Sequence, residues 1–305
     1  MPFHLPAEER LYVRRAELMA ERLQSRYILE SAPLTAEVAV LAAHQRPVFA
    51  DRPTTGYRPV TEGETWGETW QTGWFRLSGT VPATWKGKKV VAWLDIAGEG
   101  LVYSITGRAI QGVTHGSVFD VKAKRPYVPL FTTATGGEGV ELWLEASASM
   151  LFGIAAYGDP LLQDHPTCTC KVEKLRLAVV DVEAWNLRHD VEVLLDLYRA
   201  LPEQSVRRAR VLRALTKVAE ILAVDERAYA QAAAALAEVK AKRANASDIP
   251  VRAVGHAHID TAWLWPIAET IRKTARTYAS QLQLIADYDD YVFGASAAQH
   301  YAWMK

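Results

Sequence analysis

Residues 251–266 read VRAVGHAHIDTAWLWP, and this stretch decides the fold of the C-terminal part of the chain. Its first four residues are a short, mostly apolar run between Pro250 and Gly255, which predicts a β-strand with polar residues at its end. Side chains at positions i and i+2 of extended backbone point the same way. We therefore expect His258 and Asp260 to approach one ion together.

The ligand types in this pair suit zinc. A neutral imidazole nitrogen and a carboxylate oxygen bind Zn²⁺ at about 2.0–2.2 Å. His258 and Asp260 therefore predict part of a metal site, although two ligands do not complete one. The pattern also has an ordinary structural explanation, because histidines at strand ends often only satisfy backbone groups.

A helix is predicted directly after this loop. Pro266 suits a first helical turn, where its missing N–H costs nothing. The following residues, IAETIRKTARTYASQLQLIADY, place apolar side chains at spacings of three and four. These positions are Ile267, Ile271, Ala275, Tyr278, Leu282 and Ile285. A strand, a polar loop and a helix in this order are typical of α/β enzymes, which present their sites at the carboxyl ends of strands.

These residues carry a family resemblance. GHAHIDTAWLWP, AETIRKTART and VFGASAAQHYAWMK resemble the start of the catalytic domain of family 38 glycoside hydrolases, the α-mannosidases, over residues 251–305. The preceding residues resemble, more diffusely, the cytosolic and bacterial branch of that family. The resemblance implies that His258 and Asp260 bind zinc and that Trp263 packs against the sugar ring. It assigns His256 a supporting role.

Two arginines of the predicted helix have an open role. Arg272 and Arg276 lie one turn apart and could support the metal site from behind its ligands. The alternative is that they form surface ion pairs with Glu269.

The resemblance also implies a reaction that this chain does not complete. Family members are retaining hydrolases, in which a carboxylate attacks the anomeric carbon and a second carboxyl group about 5–5.5 Å away acts as acid and base. The family's nucleophile and a further zinc ligand are expected beyond Lys305, so we predict no catalytic residue within these 305 residues. Asp287, Asp289 and Asp290 are interpreted as solvated turn residues. We expect an N-terminal fragment that holds zinc weakly and hydrolyses nothing.

Hydrophobic periodicity and turn residues along the sequence predict a multidomain α+β chain with four parts. An N-terminal helical segment spans residues 1–48, and an antiparallel β-sandwich, resembling a galactose-binding jelly roll, spans residues 49–180. A helical linker bundle follows at 181–248. Residues 249–305 begin an α/β, barrel-like catalytic domain, whose apolar residues need further segments or a second copy of the chain to cover them. The residues concerned are Ile267, Ile271, Leu282, Leu284, Val292 and Trp303.

Six of the ten tryptophans fall in the predicted sandwich, at positions 66, 70, 74, 85, 93 and 143. Aromatic rings stack on sugars, but most of these residues alternate within strands. A core or docking role is therefore favoured over a sugar site. Trp66 and Trp70, in GETWGETWQTG, are the best candidates for exposure.

Composition limits the partners. Lys and Arg number 35, as do Asp and Glu, so no charge excess favours nucleic acid or an anionic membrane. A charged N-terminus without a long apolar segment predicts neither a signal peptide nor a membrane span, and hence a cytoplasmic protein. A mannose-containing oligosaccharide is the expected substrate, and a homo-oligomer is open. Cys168 and Cys170 form a C-x-C that is more typical of strand packing than of metal binding.

Two other functions are compatible with the residues. An H-x-H after a first strand also begins metal-dependent amidohydrolases, in which His256 and His258 would both bind metal. The chain could also be a non-catalytic carbohydrate-binding or assembly module built on its tryptophan-rich sandwich. The TAWLWP run and the ETIRKTAR block favour the mannosidase.

Overall fold

The computed structural model describes residues 7–116, 124–149, 169–243, 249, 251–263 and 265–305. The chain divides into two compact units. One comprises residues 1–30 and 179–251, and the other comprises residues 31–178 and 252–305. Cys168 lies outside the described residues, and Cys170 is buried with its thiol directed at the Ala97 carbonyl.

The first unit is helical. Its helices are α1 (Ala7–Gln24), α2 (Val182–Ala200), α3 (Val206–Val224) and α4 (Tyr229–Ala241). Asp181 caps α2 by accepting a hydrogen bond from the Ala184 amide at 3.1 Å. None of the helices in the described part of the chain has the length and apolar character that a membrane span requires.

One charged residue lies in the core of this bundle. Basic residues of a helix are usually solvated, but Arg208 of α3 is buried. Its guanidinium donates to the Tyr198 hydroxyl at 2.9 Å and pairs with Glu9 at 3.3 Å. A charge enters this core because it finds both a hydroxyl and a carboxylate there.

The predicted antiparallel sandwich lies in the second unit, except for the first residues of β1 and the last residues of β12. Its strands are β1 (Ile28–Pro33), β2 (Thr35–Leu41), β3 (Arg58–Pro59), β4 (Thr65–Glu68), β5 (Thr72–Thr80), β6 (Val90–Asp95), β7 (Glu99–Ser104), β8 (Ala109–Thr114), β9 (Tyr127–Phe131), β10 (Gly139–Ser147), β11 (Thr169–Lys171) and β12 (Lys174–Val180). One sheet has the order β3-β2-β5-β10-β7-β8, with every neighbouring pair antiparallel. A second sheet has the order β1-β12-β6-β9, and β11 pairs with β4.

A row of apolar residues crosses the larger sheet and forms the centre of its core. Val38, Phe75, Leu144 and Val102 are direct cross-strand partners in sequence along the row, and each is fully buried. The second sheet packs on this face, since a methyl group at Gly79 would lie 3.6 Å from Leu177. The predicted sandwich is confirmed.

The sandwich begins earlier than the sequence indicated. β1 and β2 precede residue 49, where the domain was predicted to start. The apolar alternation of TAEVAVL in β2 is a strand pattern, and β2 pairs with β5 throughout its length. Trp66, expected to be exposed, is buried, and its indole N–H donates to the Ile96 carbonyl at 2.7 Å.

After residue 252 the chain forms a β-α-β unit. β13 (Gly255–His256) and β14 (Phe293–Gly294) are parallel, and α5 (Ile267–Asp287) connects them before a short final helix, α6 (Ala298–Trp303). Parallel strands joined by a helix are the start of an α/β layer, as predicted. The strand is shorter than the sequence indicated: the run from Val251 to Val254 stays outside it, and both valines are exposed.

Helix α5 packs with its polar face inward. Its buried residues are Glu269, Thr270, Arg272, Thr274, Arg276, Ala279 and Ser280. The predicted apolar stripe faces outward instead, with Ile267, Leu282 and Ile285 all exposed. Of the six residues expected to need cover from further segments or a second copy, three are exposed and three are half-buried; the exposed ones are Ile267, Leu282 and Val292, and the half-buried ones are Ile271, Leu284 and Trp303. The inward face lies on β7 and β8 of the sandwich.

Candidate metal and sugar site

The loop after β13 brings the two predicted ligands together. His258 Nε2 lies 3.2 Å from Asp260 Oδ1, and the two side chains are 82% and 40% exposed. Ligand atoms about 2.0–2.2 Å from a tetrahedral ion are roughly 3.3–3.6 Å apart. The pair therefore fits one edge of a zinc coordination sphere with little adjustment.

His258 and Asp260 can supply two of the four ligands that a tetrahedral zinc ion takes. Within the described residues, no group of three or more His, Cys, Asp or Glu side chains could hold a metal ion. A structural or catalytic zinc site needs at least three protein ligands. His258 and Asp260 can thus contribute to a metal site but cannot complete one among the described residues.

Thr270, on the first turn of α5, anchors this loop, and its role was not predicted from the sequence. Its hydroxyl accepts hydrogen bonds from the Ala262 amide and the Trp265 indole, both at 3.0 Å, and donates to the Asp260 carbonyl at 3.3 Å. Ala262 itself has a φ of 73°, a left-handed conformation that is unfavourable for alanine. The network around Thr270 holds the loop in this strained shape. A threonine early in a helix is too common a feature to have indicated it.

The two loop tryptophans have different environments. Trp263 is 49% exposed, whereas Trp265 is 8% exposed and is covered by the Lys273 ammonium, 4.7 Å from its ring centre. The two rings meet edge to face, with centroids 5.7 Å apart. Trp263 therefore presents a partly open aromatic surface on the loop that carries His258 and Asp260, and its ring packs against that of the buried Trp265.

His256 is directed to another part of the β-α-β unit. Its Nε2 lies 3.4 Å from Ser296 Oγ, after β14. This contact links β13 to the segment that follows β14, and it leaves His258 and Asp260 as the paired candidate ligands of the loop.

Arg272 contacts the sandwich rather than the candidate metal loop, which is the segment 257–263 that carries His258 and Asp260. Its Nε lies 2.5 Å from Glu145 Oε1, and its other nitrogens donate to Thr72 Oγ1 at 3.3 Å and to the Ala146 carbonyl at 3.2 Å. The contact with Glu145 is a charge contact, because it lacks the alignment of a hydrogen bond. Arg272 also pairs with Glu269 at 3.2 Å.

Arg276 continues the same network. It pairs with Glu269 and with Glu99 of β7, both at 2.7 Å, and Lys273 contacts both oxygens of Glu99 at 2.7 Å. Within the described residues neither Arg272 nor Arg276 hydrogen-bonds His258 or Asp260. The alternative interpretation predicted ion pairs with Glu269 at the surface. The ion pairs are present, but both arginines are buried.

Burial and neighbouring charges shift the pKa values of this network in opposite directions, and the charges have the larger effect. Burial raises the pKa of Glu269, but Arg276, Arg272 and Lys273 outweigh that effect and lower its pKa to about 2. The pKa of Glu99 is lowered for the same reason, with burial opposed by Lys273 and Arg276. The pKa of Arg276 is raised, since Glu269, Glu99 and Glu145 outweigh its loss of solvation. Glu269, Glu99 and Arg276 are therefore charged at neutral pH.

The sandwich and the β-α-β unit match two domains of one class of enzyme, the glycoside hydrolases that act as α-mannosidases. Residues 32–178 match the family described as "Alpha-mannosidase, jelly roll domain". Residues 248–305 match "Glycosyl hydrolases family 38 N-terminal domain". The chain therefore carries two domains of the family 38 α-mannosidases, and the resemblance predicted from its motifs is confirmed.

Curated relatives carry the same name. Human alpha-mannosidase 2C1 is 29% identical over 93% of this chain and 27% of its own length. The mouse protein of that name is 30% identical over 82% and 24%, and alpha-mannosidase G of Dictyostelium discoideum is 30% identical over 82% and 23%. The chain spans about a quarter of the length of these relatives.

Proposed function

We propose that this chain is the N-terminal part of a zinc-dependent, retaining α-mannosidase that removes terminal α-mannosyl residues from oligosaccharides. The observation that carries the proposal is the His258–Asp260 pair, 3.2 Å apart, in the segment that matches the family 38 domain. Support also comes from the relatives that are named α-mannosidases.

In this proposal different residues of the loop bind the metal and the sugar. His258 and Asp260 hold the metal, Trp263 packs against a face of the mannosyl ring, and Thr270 fixes the loop that carries all three. Bound zinc supplies a positive charge that holds and orients sugar hydroxyls. The nucleophile and the acid catalyst belong to segments beyond Lys305, so the 305-residue chain binds zinc weakly and is inactive.

An aryl α-mannoside tests the proposal. The complete gene product should hydrolyse it, lose activity on chelation and recover with zinc, whereas the 305-residue chain should show no turnover. No α-mannosidase activity in the complete, zinc-loaded protein would overturn the proposed reaction. Clear turnover by the 305-residue chain would overturn the proposed need for later segments.

Metal binding by variants separates the proposal from an amidohydrolase-type site. Asp260→Ala should reduce zinc affinity strongly in the complete protein, and His256→Ala should leave most of it, because His256 contacts Ser296. The opposite result would favour two histidine ligands. A carbohydrate-binding module built on the sandwich has less support, because Trp66, one of its two best candidates for exposure, is buried, and Trp70 is only partly exposed.

We also propose a cytoplasmic location, supported by the resemblance to the cytosolic and bacterial branch of the family. Cell fractionation with an antibody to the chain tests it, and recovery in a secreted fraction would contradict it. A homo-oligomer stays a prediction that sedimentation of the complete protein can test.

A further inference from the structure

A groove of about 560 Å³ lies between the metal loop and the sandwich. The groove is lined by His258 and Trp265 of the loop, by residues of α5 that include Thr277 and Gln281, and by residues of the sandwich that include Thr114 and Arg125. This volume lies within the range of roughly 300–1,000 Å³ that is typical of ligand sites. The groove therefore continues from the candidate metal site onto the sandwich.

Three of the four Lys and Arg side chains that line the groove are paired with carboxylates. Lys124 pairs with Asp95 at 2.9 Å, and Lys273 and Arg276 pair with Glu99 at 2.7 Å. These cations are held by carboxylates, so they attract an anion weakly. Arg125 is the lining cation to which the described residues supply no carboxylate, and its guanidinium can donate to the oxygens of a hydroxyl-rich ligand.

Several polar groups of the groove keep unused hydrogen-bonding capacity. Within the described residues, no side-chain partner engages the exposed guanidinium of Arg125 or the hydroxyl of Thr277. Gln281 accepts a hydrogen bond from the Tyr291 hydroxyl through Oε1, which leaves its amide N–H groups for another partner. Arginine, hydroxyl and amide donors on opposite walls can together bind sugar hydroxyls.

We infer that this groove binds the sugar units on the leaving side of the scissile bond, and that Arg125 and Thr277 are binding residues for them. The inference rests on the proposed function, because it places the terminal mannosyl unit at His258 and Asp260. Because His258 and Arg125 both line the groove, the remainder of an oligosaccharide held at His258 can lie in it and contact Arg125. The sandwich then contributes to substrate selection.

Two substrates separate this role from a general effect on catalysis. In the complete gene product, Arg125→Ala and Thr277→Val should each lower kcat/KM for an α-mannotriose at least fivefold. Both should leave kcat/KM for an aryl α-mannoside within twofold, because an aryl leaving group replaces at most the first leaving sugar unit and does not extend to Arg125 or Thr277. Arg108→Ala is the matched control: it removes an exposed arginine from the turn between β7 and β8, outside the groove lining, and should change neither value.

A binding measurement tests the groove independently of hydrolysis. Mannobiose represents the leaving fragment. In a calorimetric titration it should bind the complete protein whether or not that protein hydrolyses mannosides, and Arg125→Ala should weaken this binding at least fivefold. Equal losses for both substrates, or unchanged mannotriose hydrolysis and mannobiose binding in both variants, would overturn the inference. Absence of all hydrolysis by the unaltered protein, with mannobiose binding that still depends on Arg125, would overturn the proposed reaction and leave the sugar groove intact.

Discussion

Arg46 and Glu269 are 223 residues apart in the chain, yet Arg46 Nε lies 3.2 Å from Glu269 Oε2. Their side chains are 8% and 0% exposed. Arg46 precedes β5 of the sandwich, and Glu269 is on the first turn of α5. The pair joins the jelly roll to the helix that carries Thr270, the anchor of the metal loop.

Glu269→Gln should destabilise the second unit strongly. Glutamine keeps the shape of the side chain but removes the carboxylate that Arg46, Arg272 and Arg276 share. Breaking a buried ion pair on one side costs about 3–5 kcal/mol, because the remaining charge stays buried. Urea unfolding followed by tryptophan fluorescence measures this loss.

A matched control uses an exposed ion pair. Glu220 pairs with Lys217 at 3.5 Å and is 52% exposed, so Glu220→Gln should change the free energy of unfolding by no more than about 1 kcal/mol. Equal unfolding midpoints for Glu269→Gln and the unaltered chain would show that the network contributes little.

The same carboxylate makes stability depend on pH in the acid range. The pKa of Glu269 is about 2 in the folded chain against 4.5 without its partners, so its ionised form favours folding above pH 4.5. This contribution, roughly 3 kcal/mol, should be lost as pH falls from about 4.5 to about 2. The measurement is the free energy of unfolding between pH 6 and 2, for the chain and for Glu269→Gln. Parallel curves for the two proteins would contradict the assignment.

Close contact between β8 and α5 predicts a steric effect without a change of charge. A methyl group at Gly112 would lie 2.8 Å from the Arg276 carbonyl oxygen and 2.9 Å from its Cβ. Gly112→Ala should therefore push α5 from the sheet and weaken the hydrogen bond from the Gly112 amide to Ser280, 3.0 Å long. Overpacking of this kind costs about 1–3 kcal/mol.

Gly139 provides the control for this substitution. It also lies in a strand of the large sheet, but nothing is within 4 Å of its added methyl group. Gly139→Ala should leave the urea midpoint close to that of the unaltered chain. If both alanine variants unfold alike, the contact at Gly112 does not constrain α5.

Much of this architecture could be predicted from the sequence, because it depends on local patterns. Alternation in strands such as β5 and β10 indicated the sandwich, and the H-x-D spacing indicated the paired donors His258 and Asp260. The orientation of α5 could not be predicted in this way. Its apolar stripe has the usual period of a core-facing helix, and only partners from distant sequence, such as Glu99 and Glu145, make its charged face the buried one.

The roles of individual residues could be predicted only in part, because they also depend on contacts between distant parts of the sequence. Arg272 was a candidate support of the metal site because it lies near the loop in sequence, and the structure pairs it with Glu145 of the sandwich instead. Thr270 gave no sequence signal, since its three hydrogen bonds arise from the strained course of the loop at Ala262.

Thr270→Val should weaken metal binding by the complete protein. Valine keeps the volume but removes the hydroxyl that holds the Ala262 amide, the Trp265 indole and the Asp260 carbonyl. Loss of such supporting contacts typically lowers metal affinity about 10–100-fold. Zinc titration against a competing chelator measures the change. Thr270→Ser keeps the hydroxyl and should retain most of the affinity, and an equal loss in both variants would indicate a packing effect instead.

The two tryptophans of the loop should respond differently to removal. Trp263 is half exposed, so Trp263→Ala should change the free energy of unfolding by no more than about 1 kcal/mol. Its proposed contact with the sugar ring predicts a 10–100-fold lower kcat/KM for an aryl α-mannoside, which corresponds to about 1.4–2.7 kcal/mol of transition-state binding. Trp265 is buried, so Trp265→Ala should cost about 3–5 kcal/mol of stability. Urea unfolding and steady-state kinetics on both variants of the complete protein separate the two effects. Full activity of Trp263→Ala with a native unfolding midpoint would exclude Trp263 as the sugar platform.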